Sequence, residues 1–287
     1  SDDGKCVSDS LVMRRALEYV KAFGGVIAQH AQDPQLTVNA QMNESALSLK
    51  LGLTGWPAVA EEAIIARDVL LTEEVGSRLH VCHVSTKGSV DVIRWAKSRG
   101  INVTAEVTPH HLILTEDLVS DYNPVYKVNP PLRRSEDVLA LREAVADGTI
   151  DIIATDHAPH TPDSKDCEWG EAAFGMIGLE TAAAIAKTTL IDTGLISFDR
   201  LEELLSKNPA KISGLKNQGQ DIAEGSIANI VFFDPRTKYT VDGTTESKSS
   251  NNPYVGMELS GTVVHTIFNG TFTVKNSEIQ QIGTQND

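Results

Sequence analysis

Three cysteines in 287 residues, Cys6, Cys82 and Cys167, stand far apart with no Cys-x-x-Cys pair, so the chain has no disulfide framework. That fits a reducing, cytoplasmic setting. No apolar run is long enough to span a bilayer, so no membrane helix is expected. No signal peptide opens the chain. Basic residues are in the minority, 25 Lys and Arg against 39 Asp and Glu, and the net charge of -14 argues against a nucleic-acid surface. With that charge, an anionic small molecule has to be held by a few local donors, because the global field repels it. No internal repeat is visible. Ser1-Asp2-Asp3-Gly4 has neither an initiator Met nor a tag-like run, which predicts that the chain starts inside a structure.

What is present is a globular composition, 41% hydrophobic and 22% charged, on a length that suits one large domain or a domain with a smaller companion. Short apolar strands alternate with helical stretches, the pattern of parallel βαβ units. Strands are expected at 26–30, 78–84, 101–107 and 151–155. Helices are expected from near Ser8 to Gly24, and at 57–74, 89–98, 135–146, 178–189 and 198–205, with Ser135 capping its helix. After about Gln218 the texture changes to short strands at 230–233, 263–268 and 270–274, then a polar tail expected to fray from Asn276. A closed eight-stranded barrel takes about 250 residues. Four clear strands and a stump at 1–3 therefore predict the second half of a barrel over 1–218, followed by a small β module and polar tail over 219–287.

In such barrels chemistry gathers at the C-terminal ends of the strands. Four metal-capable groups fall there: Asp3 at the stump, His30, His83 and Asp156. Imidazole and carboxylate together suit zinc. Singly, each is more often a structural hydrogen-bonding residue; four together point to a metal centre. Alternation along His80-Val81-Cys82-His83 predicts that if His83 points into the barrel, His80 points toward the outer helices. Asp156 is the candidate for moving a proton from a metal-activated water to a leaving nitrogen.

The runs Asp2-Asp3-Gly4, Ala28-Gln29-His30, Val81-Cys82-His83-Val84-Ser85-Thr86, Thr104-Ala105-Glu106-Val107-Thr108-Pro109-His110-His111, Asn129-Pro130-Pro131-Leu132-Arg133 and Ala154-Thr155-Asp156-His157-Ala158-Pro159-His160 resemble, in order and spacing, the class I bacterial dihydroorotases of the amidohydrolase superfamily. Phe174-Gly175 and Gly178-Leu179-Glu180 continue the match. The resemblance implies the C-terminal part of a (β/α)8 TIM barrel of the amidohydrolase type, with a small β-sandwich module. It also implies two zinc ions and the reversible cyclisation of N-carbamoyl-L-aspartate to L-dihydroorotate. Carried over residue by residue, Asp3 bridges the ions, with Asp2 as the alternative by spacing. His30 and His83 bind the second ion. Asp156 contacts the first and serves as general acid and base. Asn129, His160 and the Phe174-Gly175 backbone hold the substrate.

The chain also departs from the family. The family's first-strand His-x-His and the Arg that follows it are absent: none of the eight histidines forms such a pair. This predicts a fragment that is inactive alone. Two other functions stay open: another cyclic amidase, such as an allantoinase or hydantoinase, or a non-catalytic homologue that partners aspartate transcarbamoylase. The partners expected are a small-molecule substrate and either a second copy of the chain or that enzyme, with no nucleic acid and no membrane. Of the remaining residues, His110 and His111 are balanced between loop packing and orienting a ligand. His157 and His265 are expected to be structural, and Cys82 to be a small buried hydrophobe. Lys87 and Arg133 are expected at a solvated surface, and 161–173 is either a mobile loop over the site or an exposed connection.

Overall fold

The computed structural model describes residues 4–281. Helix α1 (Ser10–Lys21) starts where Asp9 accepts a hydrogen bond from the Val12 amide at 2.9 Å, and it buries Met13 and Leu17. Strand β1 (Ile27–Gln29) follows. A short excursion then carries β2 (Met42–Asn43), α2 (Ala46–Leu51) and β3 (Gly55–Trp56), with β2 and β3 paired in parallel. Strands this short leave no alternation to read, and the sequence gives no sign of them. Helix α3 (Val59–Val75) buries Ala60, Ile64, Ile65 and Val69, and Gly76 at φ 66° ends it in the left-handed region. Then come β4 (Leu79–Val81), α4 (Lys87–Ser98) capped by Thr86, β5 (Val103–Val107), α5 (Ser135–Asp147) and β6 (Ile152–Ile153). Ser135 is the first residue inside α5 rather than its cap. The Asp137 carboxylate instead reaches back to the Arg134 amide at 3.3 Å.

Strands β1, β4, β5 and β6 form one parallel sheet in that order. Leu79, Val81, Val103, Ala105 and Val107 share a core with Met13, Leu17, Ile65, Val69, Val90 and Ile93 from the helices. Fully burying such side chains contributes about 1.5–3 kcal/mol each. Because side chains alternate, His80, Cys82, Thr104 and Glu106 lie on the other face, toward the barrel interior. This corrects the expectation for His80. Strand β4 stops at Val81, and His83 turns off it at φ 31°, so counting by twos from His83 fails.

After β6 the helices are short: α6 (Pro162–Lys165), α7 (Ala182–Ala186), α8 (Phe198–Glu202) and α9 (Asn208–Ser213), with π turns at Lys187–Ile191 and Glu203–Lys207. From Gly219 to Gln281 the chain holds strands and turns: β7 (Ile230–Thr240), β8 (Glu258–Phe268), β9 (Thr271–Lys275) and β10 (Glu278–Ile279), one antiparallel sheet. Strand β10 overlaps the tail that was expected to fray. Asn276 and Ser277, both at positive φ, make the two-residue turn that pairs Glu278 with Lys275. Tyr254, Val241 and Leu259 pack with Met176, Ala184 and Ile185, and Lys187 Nζ donates to Ser260 Oγ at 2.8 Å, so the antiparallel sheet and the helices share a core.

Candidate metal centre at the strand ends

Parallel strands deliver their C-terminal ends to one edge, and three of the residues singled out from sequence lie there. His30 follows β1, His83 follows β4 and Asp156 follows β6. The structure brings the first two together: His30 Nδ1 and His83 Nε2 are 2.8 Å apart, both rings are buried, and the ring planes cross at 76°. Burial, then the neighbouring His83, pushes His30 down to about 4, so it is neutral at pH 7 as a metal ligand must be. The negative charge of Asp156 acts on His30 in the opposite direction. His83 and Asp156 leave their strands at φ 31° and 45°, an uncommon conformation for residues with a Cβ that clusters at functional sites. Asp2 and Asp3 lie outside the described residues.

The His30 Nδ1 and His83 Nε2 donors suit zinc. At about 2.0–2.1 Å per bond, tetrahedral geometry sets two such nitrogens about 3.3 Å apart. The pair would part by about half an ångström to admit an ion.

A chain of contacts leads from the pair to the residues expected to hold a substrate. His30 Nε2 lies 2.8 Å from Gln32 Oε1, which also accepts from Asn129 Nδ2 at 3.1 Å. Asn129 Oδ1 is buried and has no hydrogen-bond partner among the described residues, an acceptor suited to a ligand N–H. The Asn129–Pro130 bond is cis. Two residues before Asn129, the Lys127 carbonyl accepts from the Gly175 amide at 2.9 Å. His160 Nε2 is 2.8 Å from the Phe174 carbonyl, so it donates there. The Gly175 carbonyl accepts from Asn251 Nδ2 at 3.2 Å. Within this stretch the Phe174 carbonyl and both Gly175 backbone groups are thus engaged inside the protein. Gly175 sits at φ 137°, and a Cβ there would come within 2.7 Å of Ala158 Cβ and His160 Nε2, so only glycine fits.

Several residues at the site carried no clear signal in the sequence. Gln32, between His30 and Asn129, went unremarked. Arg133, expected at the surface, is 1% exposed. It donates through Nε to Ser85 Oγ at 3.1 Å, and through one terminal nitrogen to Asn43 Oδ1 at 2.8 Å and the Trp56 carbonyl at 2.9 Å. Buried Glu61 faces it at 4.0 Å and accepts from the Ser85 and Thr86 amides and the Ser85 and Ser89 hydroxyls. This network fixes the turn that follows His83. His111 is also buried. It lies 2.7 Å from Thr108 Oγ1 and donates through Nε2 to the Pro131 carbonyl at 3.3 Å, and burial pushes it down to about 3. His110 is buried beside it, and its Nε2 has no hydrogen-bond partner among the described residues.

On the barrel-interior face, a ring nitrogen of His80, a carboxylate oxygen of Glu106 and Cys82 Sγ all lie within 4.8 Å of one another. His80 Nε2 is 2.8 Å from Glu106 Oε2, while Glu106 Oε1 accepts from the His83 amide at 3.2 Å. Cys82, expected to be a buried hydrophobe, is half-buried beside these polar groups, and burial with Glu106 nearby pushes its thiol up to about 12.

The other histidines are structural. His157 Nδ1 accepts from the Gly178 and Leu179 amides at 3.2 Å. His265 packs between Phe232 and Phe272. The segment 161–173 is tied down: Lys165 Nζ donates to the carbonyls of Pro124, Lys127 and Ala173, and Lys127 Nζ to those of Trp169 and Gly170. No helix among the described residues is long and apolar enough to cross a membrane.

Comparison with known proteins gives a family and a fold. The model of the amidohydrolase family matches residues 13–273. A dihydroorotase of Leifsonia xyli is 63% identical over 275 residues, covering 96% of this chain and 63% of that protein. The dihydroorotase of Mycobacterium tuberculosis is 47% identical over 281 residues, covering 98% of this chain and 65% of its own length. The chain thus spans less than two thirds of these relatives. Among solved structures, a D-hydantoinase from Thermus sp. superposes with a TM-score of 0.85 at 25% identity, over 95% of this chain and 62% of that one. An L-hydantoinase from Arthrobacter aurescens gives 0.82 at 28% identity, over 95% and 62%. The fold is therefore of the amidohydrolase (β/α)8-barrel type, with a parallel sheet and a separate antiparallel β module.

Proposed function

Because the chain belongs to the amidohydrolase family, we propose that it is the C-terminal part of a zinc-dependent dihydroorotase, which interconverts N-carbamoyl-L-aspartate and L-dihydroorotate. The observation that carries this reading is the convergence of His30 Nδ1 and His83 Nε2 at the strand ends, in a chain 63% identical to a protein named dihydroorotase. His30 and His83 would hold one zinc ion, with Asp3 and Asp156 as the residues that would supply carboxylate ligands. Zinc, when bound, polarises an amide carbonyl and makes water more acidic.

The protein's own residues do the rest. In ring opening, water adds to the ring amide carbonyl, the C–N bond breaks and the nitrogen leaves with a proton. Asp156 takes the proton from the water and delivers it to that nitrogen. Asn129 Oδ1, buried and without a partner among the described residues, accepts from a ring N–H of dihydroorotate. His160 holds the Phe174 carbonyl and the Gly175 amide donates to the Lys127 carbonyl, so His160 positions the Phe174–Gly175 turn next to the stretch of chain that carries Asn129. The first-metal histidines and the group that grips the substrate carboxylate fall, on this reading, in the third of the relatives' length that this chain does not match.

Another cyclic amidase activity, such as that of a hydantoinase, is the reading to be separated from it, because the solved structures that share this fold include hydantoinases. A substrate panel separates the two. Joining the part of the Leifsonia protein that this chain does not match to this chain should give a zinc-dependent enzyme that opens L-dihydroorotate in preference to hydantoin. Preference for hydantoin by that folded, zinc-loaded chimera would overturn the first reading. A chimera that binds zinc and carries aspartate transcarbamoylase but turns over neither substrate would favour a non-catalytic partner.

A further inference from the structure

We propose that His80, Cys82 and Glu106 form a second, thiophilic metal site in the barrel interior, one that takes cadmium or excess zinc and is separate from the His30–His83 pair. Three different donors, imidazole nitrogen, thiol sulfur and carboxylate oxygen, come from neighbouring strand segments on one face and lie within 4.8 Å of one another. In a tetrahedral site such donors sit about 3.3–3.7 Å apart, so modest side-chain movement brings them to an ion. Sulfur with imidazole selects cadmium and zinc over magnesium and calcium.

The charges also balance. A divalent ion with one thiolate, one carboxylate and a neutral imidazole sums to zero, which suits a partly buried place. Binding forms the metal–sulfur bond and releases the Cys82 proton to solvent, with no change of oxidation state. The ion takes the place of the 2.8 Å contact between His80 and Glu106. Glu106 also accepts from the His83 amide, so occupancy of this site pulls on the loop that carries His83. The site thus offers a route by which soft metals disturb the His30–His83 pair without occupying it.

The test uses the metal-free 287-residue chain and cadmium alone. Cadmium added to two equivalents, enough to supply the His30–His83 pair as well, should produce a thiolate-to-cadmium charge-transfer band in the ultraviolet and a bound 113Cd resonance shifted downfield into the sulfur-ligated range. Cys82→Ser should abolish the band and weaken cadmium binding at least tenfold, whereas Cys6→Ser and Cys167→Ser, at the other free cysteines, should keep both signals. A wild-type chain that binds cadmium with no sulfur signature, or a band that survives Cys82→Ser, overturns the proposal. The 113Cd spectrum of the wild type decides the matter even if the variant fails to fold. No turnover is measured, so the outcome is independent of the dihydroorotase reading.

Discussion

Replacing Arg133 by Met tests whether the buried network behind His83 holds the site. Arg133 is 1% exposed and ties together Ser85, Asn43 and the Trp56 carbonyl. Glu61, 4.0 Å away, is buried too and depends on this cation for charge compensation. Met fills much of the same volume but leaves Glu61 as an uncompensated buried charge. Breaking a buried pair from one side costs about 3–5 kcal/mol. At about 2 °C per kcal/mol for a large domain, the midpoint of thermal unfolding should fall by roughly 6–10 °C. Urea unfolding followed by far-UV circular dichroism measures the loss directly. Glu61→Gln with Arg133→Met should recover part of it, because the orphaned charge is gone, with a coupling of about 1 kcal/mol or more. Ser85 lies two residues after His83, so the single variant should also weaken zinc binding. A loss within about 0.5 kcal/mol, as at an ordinary surface position, would refute the reasoning.

Acid should destabilise the chain in a defined window. His30 and His111 are held near 4 and 3, below the unfolded value of about 6.5, so the unfolded chain binds more protons there and stability falls as pH drops through about 6.5. Each histidine adds a slope of up to about 1.4 kcal/mol per pH unit. His111→Gln should flatten the profile by one such contribution, and an unchanged urea profile between pH 6.5 and 5 would count against buried neutral imidazoles. Gly175→Ala forces a Cβ to within 2.7 Å of Ala158 and His160, and should cost about 1–3 kcal/mol in urea unfolding; a neutral result would mean that the turn is loose. His83→Ala should lower zinc affinity at least tenfold by calorimetry, whereas His80→Gln should leave the first zinc equivalent unchanged. Equal losses in both would place that ion beneath the strand ends instead.

The parallel βαβ pattern was legible because β/α alternation is written into periodicity, and His30 and His83 stood out as polar residues closing apolar strands. What was not legible depends on partners far along the chain. Arg133 sits in Leu132-Arg133-Arg134-Ser135, which looks like a surface run, yet its partners Ser85 and Asn43 lie 48 and 90 residues away. His80 was misplaced because alternation was counted from His83, beyond the end of β4 and past a left-handed turn. Counting from the apolar residues Leu79 and Val81 places His80, Cys82 and Glu106 inside the barrel, so that signal was present. Gln32 follows His30 in an irregular stretch where no periodicity fixes direction. The β2–β3 ladder is two residues per strand, shorter than any pattern can register.

The most direct test of the account is ring opening of L-dihydroorotate, with zinc present, by this chain joined to the part of the Leifsonia dihydroorotase that it does not match, beside the same chimera carrying Asp156→Asn. The account predicts zinc-dependent turnover that Asp156→Asn lowers about 10²–10⁴-fold while zinc stays bound. Turnover unaffected by Asp156→Asn, or none from a folded and zinc-loaded chimera, would contradict it.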